Sequence, residues 1–190
     1  NIFISTLNTF HQRKPFRRSM CIDIIHLESR LSTIWLEEVV AMMKKEGIIK
    51  FVESGVALTS HKVELIGGTA ELSIKMESHL IEVGFTPLTT AELSYTLHES
   101  DKQVLEVLHV LKGDKKVSEI ENGTWMHNVN IAKLRQALIN HFNQNNEMGV
   151  TDFKNITALT RKFAIPMLEY CDKQGWTARS GNQRSKGHNL

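Results

Sequence analysis

The side chains best suited to chemistry are five cations near the end of the chain. Arg161 and Lys162 are adjacent, and Arg179, Arg184 and Lys186 follow. A guanidinium offers a planar fork of N–H donors that fits phosphate oxygens, and an ammonium acts as a point charge. No nucleophile with an identifiable base accompanies them, so we expect no catalytic residue. These residue types predict the binding of an anion.

The elements that must position these cations are a helix and a β-hairpin. Thr160 is a candidate N-cap, and Ala164 and Leu168 follow at the spacing of one apolar helix face. Gly175 stands where the helix would end, and residues 180–182, Ser-Gly-Asn, form a turn signal between two short β-prone segments. A helix, a stop and a hairpin are the second half of a winged helix.

Two features of this helix are unusual. Arg161 and Lys162 fall in its first turn, where the helix dipole disfavours cations but the free N–H groups attract phosphate. Pro166 lies inside the helix and removes one backbone donor. We expect a continuous, locally distorted helix; the alternative is a helix that begins at Pro166.

The charge of the chain is unevenly distributed. Positions 154–190 carry seven Lys or Arg and two acidic side chains, a net charge of +5, whereas positions 1–153 carry 16 basic and 19 acidic ones, a net charge of −3. The total of +2 therefore conceals a basic end on a slightly acidic body.

A helix that ends in glycine, followed by a hairpin, recurs along the chain. The helix-ending glycines are Gly47, Gly113 and Gly175, which stand at nearly equal intervals. This repeat predicts an α+β, mostly helical fold of tandem winged helices: 1–64, 65–128 and 129–190. Since Asn1 is not an initiator methionine, we expect the chain to be a fragment and its first domain to be truncated at its start.

Local signals predict where individual helices begin. Thr89 with Glu92 and Ser100 with Gln103 have the spacing of capping boxes in the second repeat, and Asn130 is a candidate N-cap in the third. Asn122-Gly123 is a hairpin turn signal. Because the last helix of the second repeat is acidic and has few cations, we expect that repeat to be a spacer.

Several classes of protein are not supported by the sequence. The apolar runs are all too short to cross a bilayer, so no membrane span is expected. Cys21 and Cys171 are isolated, which favours a reducing, cytoplasmic setting without a disulfide framework. The nine His show no metal-ligand spacing, so no metal site is expected. No coiled-coil heptad is visible, and we expect a monomer.

One stretch carries a family resemblance. Residues 161–184 read R-K-F-A-I-P-M-L-E-Y-C-D-K-Q-G-W-T-A-R-S-G-N-Q-R. This run resembles the last winged-helix domain of the bacterial selenocysteine-specific translation elongation factor. The resemblance implies that the chain binds an mRNA hairpin that recodes UGA as selenocysteine.

The same resemblance implies activities beyond this chain. The full-length factor would be a GTPase that uses GTP and Mg, and it would meet the ribosome and selenocysteyl-tRNA. The GTP-binding motifs are absent from this chain, for which we expect neither a cofactor nor an enzymatic activity.

The candidate RNA-binding residues lie on the helix start and the wing. We expect Arg161, Lys162 and Arg179 to border one pocket that reads a base, and Arg184 and Lys186 to meet phosphates. The full candidate set is Thr160, Arg161, Lys162, Phe163, Arg179, Gly181, Asn182, Arg184 and Lys186.

Two other functions remain open at this level. Tandem winged helices also form protein-interaction arrays, but such an array has no reason to concentrate basic charge in its last domain. A DNA-binding regulator usually reads two half-sites as a dimer. The role of the basic segment 13–18, R-K-P-F-R-R, is not fixed by the sequence, and a solvated loop is the simplest interpretation.

Overall fold

The computed structural model describes residues 2–63, 65, 67–121 and 123–190. It divides into two compact units, Asn1–Gly67 and Gly68–Leu190. The first unit contains one winged helix and the second contains two, each with its own three-stranded antiparallel sheet. The α+β, mostly helical fold expected from the sequence is confirmed.

The three winged helices repeat the same order of elements. The first is built from α1 (Ile2–Arg13), β1 (Met20–Cys21), α2 (Ile22–Ser29), α3 (Thr33–Lys45), β2 (Ile49–Val52) and β3 (Gly55–Leu58). The second is built from α4 (Gly68–Glu82), β4 (Leu88–Thr89), α5 (Thr90–Leu97), α6 (Asp101–Gly113), β5 (Val117–Glu121) and β6 (Thr124–His127). The third is built from α7 (Asn128–Phe142), β7 (Glu147–Met148), α8 (Val150–Thr157), α9 (Arg161–Lys173), β8 (Thr177–Ser180) and β9 (Gln183–Lys186).

The first and third winged helices match residue for residue from their second helix onward. One constant offset along the chain relates the first residues of α2 and α8, of α3 and α9, of β2 and β8, and of β3 and β9. In the second winged helix α5, α6 and β5 also keep a constant offset from α2, α3 and β2. One extra residue then enters its wing, where the pairing shifts between Glu119 and Glu121.

These offsets correct the repeat expected from the glycines. Gly47 and Gly175 occupy the left-handed region just after their helices, with φ of 70° and 71°. In the second winged helix that position is Lys115, with φ of 58°, while Gly113 lies inside α6. All three helices end with the same hydrogen bonds; the amide after Lys115, for example, donates to Leu111 O at 2.9 Å. The true repeat position is therefore Lys115, and a lysine replaces one of the glycines.

The helix-start signals are confirmed in the second repeat. Thr89 Oγ1 accepts from the Glu92 amide at 3.1 Å, and the Glu92 carboxylate accepts from the Thr89 amide at 2.7 Å. Ser100 also caps its helix, since its Oγ accepts from the Gln103 amide at 3.4 Å, but the Gln103 side chain accepts from the Ser100 hydroxyl at 2.6 Å instead of closing the predicted capping box. Of the predicted Asn122-Gly123 turn, Asn122 lies outside the described residues, and Gly123 has a φ of 79°.

Asn130 does not cap α7, although the sequence predicted that it would. The cap is His127, whose Nδ1 accepts from the Val129 amide at 3.2 Å. Asn130 is buried inside the helix, and its Nδ2 donates to the carbonyls of Leu80 and Ile81 at the end of α4. A neighbouring helix end, whose last carbonyls have no intrahelical partner, is the stronger partner for this amide.

One hydrophobic core is shared between the third winged helix and the wing of the second. Ile120 and Met126 of the second wing belong to the same buried cluster as Leu134, Phe153 and Leu168 of the third repeat. The repeat boundary expected between residues 128 and 129 therefore does not divide this buried cluster. Whether 65–128 and 129–190 can fold independently stays a prediction. The first unit has a core of its own, formed among others by Phe3, Leu7, Met20 and Ile25.

No helix in the described ranges combines the length and the apolar character needed to cross a membrane.

Candidate nucleic-acid interface

Helix α9 presents its first turn to solvent. Thr160 has the extended backbone of an N-cap, but its side chain makes no capping hydrogen bond within the described part of the chain. Its carbonyl accepts from the amides of Phe163 and Ala164 at 3.0 and 2.9 Å. Arg161 is exposed at the first helical position. The helix start therefore combines the N–H groups of a helix end with a guanidinium, which suits an anion.

Pro166 does not break α9, which runs from Arg161 to Lys173. The helix is continuous, as expected, and the alternative start at Pro166 is wrong, while the expected local distortion stays a prediction. The helix tolerates the proline because Ala164, Met167, Leu168 and Cys171 are buried on one face and hold it against the core. Burial raises the pKa of the Cys171 thiol to about 12, so Cys171 is not a nucleophile.

The wing places Arg179 beside its turn. Gly181 has a φ of 61° at the first central position of the turn between Ser180 and Gln183, the position at which a type II′ turn requires glycine. Arg179 is exposed, and its Nε donates to the Gly181 carbonyl at 3.3 Å. This bond orients the guanidinium along the tip of the wing.

Helix and wing enclose a small pocket of about 140 Å³. Arg161 and Arg179 line it together with the turn residues Gly181 and Asn182, as expected for the two arginines. Its other lining residues are Val150, Ile165, Leu168, Glu169 and Arg184. The pocket therefore combines apolar surface, guanidinium donors and one carboxylate acceptor. Such a set can hold a flat polar ring and read the hydrogen-bonding groups on its edge.

Lys162 and Phe163 do not line this pocket. The pKa of Glu92 is lowered chiefly because Thr89 donates two hydrogen bonds to its carboxylate, and in smaller part because the charge of Lys162 lies near it. Lys162 therefore lies near α5 of the second winged helix, with its Nζ 5.2 Å from the centroid of the Phe163 ring. Phe163 is partly buried against the shared core, which favours a packing role over base stacking.

Arg184 is not the exposed phosphate contact that the sequence predicted. It is 5% exposed, and its Nε donates to both carboxylate oxygens of Asp172 at 3.2 and 3.0 Å. The same carboxylate accepts a hydrogen bond from Thr177 Oγ1. Arg184 turns inward because Asp172, near the end of α9, lies beneath the wing. Lys186, by contrast, is exposed on β9, as a phosphate contact requires.

Glu169 and Ile165 also line the pocket, although they were not among the residues predicted from the sequence. Arg161, Ile165, Leu168 and Glu169 fall at positions i, i+4, i+7 and i+8 of α9, so helical spacing alone places them on one face. The signal was present, but Glu169 has no charged neighbour in sequence that marks it as part of a site.

The same positions in the first winged helix have a different chemistry. The residues equivalent to Arg161 and Arg179 are Thr33 and Phe51, and they line a groove of about 470 Å³ whose accessible lining is mostly apolar. Phe51 is 49% exposed. Of these two equivalent surfaces, only the one on the third winged helix carries arginines at both positions, and these can bind phosphate.

Comparisons with known proteins match this description. Residues 140–185 match the family model described as "Elongation factor SelB, winged helix". The chain is 27% identical over 180 residues to the selenocysteine-specific elongation factor of Desulfomicrobium baculatum, and it covers 28% of that protein's length.

Two solved structures share the fold. A bacterial selenocysteine-specific elongation factor EF-Sec superposes with a TM-score of 0.54 at 22% identity, covering 97% of this chain and 28% of that one. The mRNA-binding domain of elongation factor SelB from E. coli, solved in complex with SECIS RNA, superposes with a TM-score of 0.52 at 19% identity, covering 62% of this chain and 98% of that one. The resemblance expected from residues 161–184 is confirmed: the chain is similar to the winged-helix region of the selenocysteine-specific elongation factor SelB.

Proposed function

We propose that the chain is the RNA-binding part of a selenocysteine-specific elongation factor, and that its third winged helix binds an mRNA hairpin. One observation carries the proposal: Arg161 and Arg179, which are far apart in sequence, line one pocket at the junction of helix and wing. They do so in the repeat that matches the SelB family model and that holds the excess basic charge.

The pocket suits an unpaired base better than a paired one. Bases in RNA loops can swing out of the stack and expose their edges, whereas the bases of an A-form duplex are hidden in a deep, narrow groove. Val150 and Ile165, which are partly exposed, supply apolar surface for a ring, and Glu169 can accept from its amino or imino groups. Lys186 and the start of α9 would hold the phosphates on either side.

The remaining activities of such a factor lie outside this chain in our proposal. A GTPase with bound GTP and Mg, and contacts with the ribosome and selenocysteyl-tRNA, would belong to other parts of the factor. The chain itself contributes recognition without chemistry, and it would act where translation takes place, in the cytoplasm.

The test compares a SECIS hairpin RNA with the same hairpin carrying a scrambled loop. We expect Arg179→Lys to lose about 1–3 kcal/mol of the preference for the correct loop, because an ammonium cannot reproduce the planar fork of a guanidinium. Binding is measured by fluorescence anisotropy at two salt concentrations. Duplex DNA of equal charge serves as the control for simple electrostatic attraction.

Two matched variants separate the reading of bases from attraction to phosphates. Lys186→Ala should weaken the binding of both RNAs equally. The slope of log affinity against log salt concentration should fall by roughly 0.7–0.9, the contribution of one phosphate contact. Lys45→Ala removes an exposed cation from the first winged helix and should change neither value. If Arg179→Lys weakens the binding of both RNAs equally, the wing only attracts phosphates by its charge, and the pocket does not read a base.

A further inference from the structure

The ion pair between Asp172 and Arg184 lies beneath the wing of the third winged helix. The Arg184 side chain is 6% exposed, and the Asp172 side chain is 21% exposed. Both carboxylate oxygens are within 3.2 Å of Arg184 Nε, and Thr177 Oγ1 donates to one of them. Helix α9 and strands β8 and β9 are thus tied together at one carboxylate.

The equivalent described positions of the two other winged helices form no ion pair with each other, although Lys112 at one of them makes an exposed ion pair with Glu119. In each winged helix one residue of the last strand pairs with the short first strand. This residue is Val56 in the first repeat (opposite Met20), Trp125 in the second (opposite Leu88) and Arg184 in the third (opposite Met148). Val56 and Trp125 are buried and apolar. At the twelfth position of the preceding helix, the residues are Lys44, Lys112 and Asp172. In the first two repeats the lysine lies over an aromatic ring of its own wing.

Stability does not explain the exchange of an apolar residue for arginine. A buried ion pair contributes no more to stability than well-packed apolar side chains of similar volume, and often less. The fold closes equally well over Val56 and over Trp125. The third winged helix therefore has a charged pair where its sister domains show that none is needed.

The position of Arg184 indicates what the pair is for. Arg184 lines the same pocket as Arg161 and Arg179, although it is almost entirely buried. Asp172 engages its Nε, and the guanidinium carries further N–H donors on its two terminal nitrogens. Because the guanidinium is planar and rigid, a carboxylate that holds Nε also fixes the direction of the N–H groups on the two terminal nitrogens.

We propose that Asp172 is a positioning residue, which holds the Arg184 guanidinium at the pocket so that it donates to the loop base rather than to passing phosphates. This inference rests on the function proposed above. Asp172 also offsets the charge of Arg184, so the buried cation adds little non-specific attraction for RNA. The pair raises discrimination between loops instead of overall affinity.

The first experiment uses Asp172→Asn in the full chain, with the SECIS hairpin and its scrambled-loop version. The amide keeps the shape of the side chain and an acceptor for Thr177 but loses the charge. We expect the preference for the correct loop to fall about tenfold, on the scale of one good base contact.

Two further readouts of Asp172→Asn separate positioning from packing. Affinity for the scrambled loop should stay the same or increase. The log–log salt slope should rise by roughly one contact, because Arg184 becomes available to phosphate. A loss of packing alone would weaken the binding of both RNAs and leave the salt slope unchanged. That result would overturn the inference.

The second experiment places the two residues of the first winged helix, a lysine and a valine, at the equivalent positions of the third. The double variant Asp172→Lys, Arg184→Val lacks the buried ion pair and should melt cooperatively, since Lys44 and Val56 occupy these positions in a folded domain. We expect it to bind RNA without a loop preference. If it retains the preference of the wild type, the pair is only structural and the inference is overturned.

The wild-type protein separates this inference from the proposed function. If the wild type does not distinguish the two loops, the proposed function fails and the inference falls with it. If the wild type and Asp172→Asn distinguish them equally well, the inference alone is overturned.

Discussion

At the scale of single residues, His11 is the least expected member of a core. It is 7% exposed on the same face of α1 as Phe3 and Leu7. The last buried residues of the corresponding helices α4 and α7 are Leu80 and Leu138. Neither ring nitrogen of His11 has a hydrogen-bond partner among the described residues, and its ring stacks on His61 with centroids 3.7 Å apart.

Burial, followed by the nearby charges of His61 and Lys50, lowers the pKa of His11 from 6.5 to about 4. Between these two pH values the unfolded chain binds a proton that the folded chain does not, so the stability of the first unit should fall as the pH drops from 6.5 to 4. The loss of unfolding free energy is on the order of 3 kcal/mol. This loss is measured by the amide hydrogen exchange of core residues in α1 at neutral pH and at about pH 4.

The control for this prediction is His11→Leu, which takes the residue type of the other two repeats. It should stabilise the first unit by about 1 kcal/mol at neutral pH, because two unsatisfied nitrogens are removed. It should also flatten the pH dependence. An unchanged pH profile in this variant would assign the effect to other groups.

At the scale of elements, the end of the last helix shows how one backbone geometry accepts different residues. Gly47, Lys115 and Gly175 all occupy the left-handed region, which is strained for a residue with a Cβ. Gly175 has a second constraint, since a Cβ there would lie 2.6 Å from His188 Cε1 in the tail that folds back over the end of α9. The tail is held in place by the Asn189 amide, which donates to the Gly175 carbonyl at 2.9 Å.

Lys115→Gly should therefore stabilise the second unit by up to about 1 kcal/mol, the difference between relieved strain and the entropy of glycine in the unfolded chain. Gly175→Ala, at the corresponding position, should destabilise the same unit by about 1–3 kcal/mol. Urea denaturation of both variants measures the two effects. If both changes destabilise the protein equally, Lys115 has a role beyond its backbone conformation.

At the scale of the whole molecule, the division into units differs from the division into repeats. The described contacts split the chain at Gly67, and the second and third winged helices lie in one unit. Tyr170 and Trp176 of the third repeat meet edge to face at 5.9 Å, beside a core that includes Ile120 of the second. The repeat expected to be a spacer thus supports the site through its packing.

On the proposed function, residues 68–190 should fold and bind the hairpin with the affinity expected of the full chain. Residues 129–190 alone should be less stable by several kcal/mol, because Asn130 loses two acceptors and the core loses Ile120 and Met126. Thermal melts and hairpin titrations of the two pieces test this. If 129–190 melts and binds like 68–190, the third winged helix is an independent domain, as the repeat pattern predicts.

The sequence by itself determined the repeated elements and the place of the site. Apolar spacing, the Thr89–Glu92 box and the stop at Gly175 are local signals that act within a few residues of one another. The basic end of the chain and the run 161–184 identified the candidate binding repeat without knowledge of any contact. Such features can be read because helix and turn formation depend mainly on near neighbours.

The tertiary structure alone decided which polar side chains face solvent. Arg184 is a charged residue on a short exposed wing, and only the position of Asp172 on another element makes its burial favourable. Asn130 likewise serves the end of α4, far away along the chain, instead of its own helix start. A buried polar group is stable only with a partner, and that partner is set by how distant elements pack.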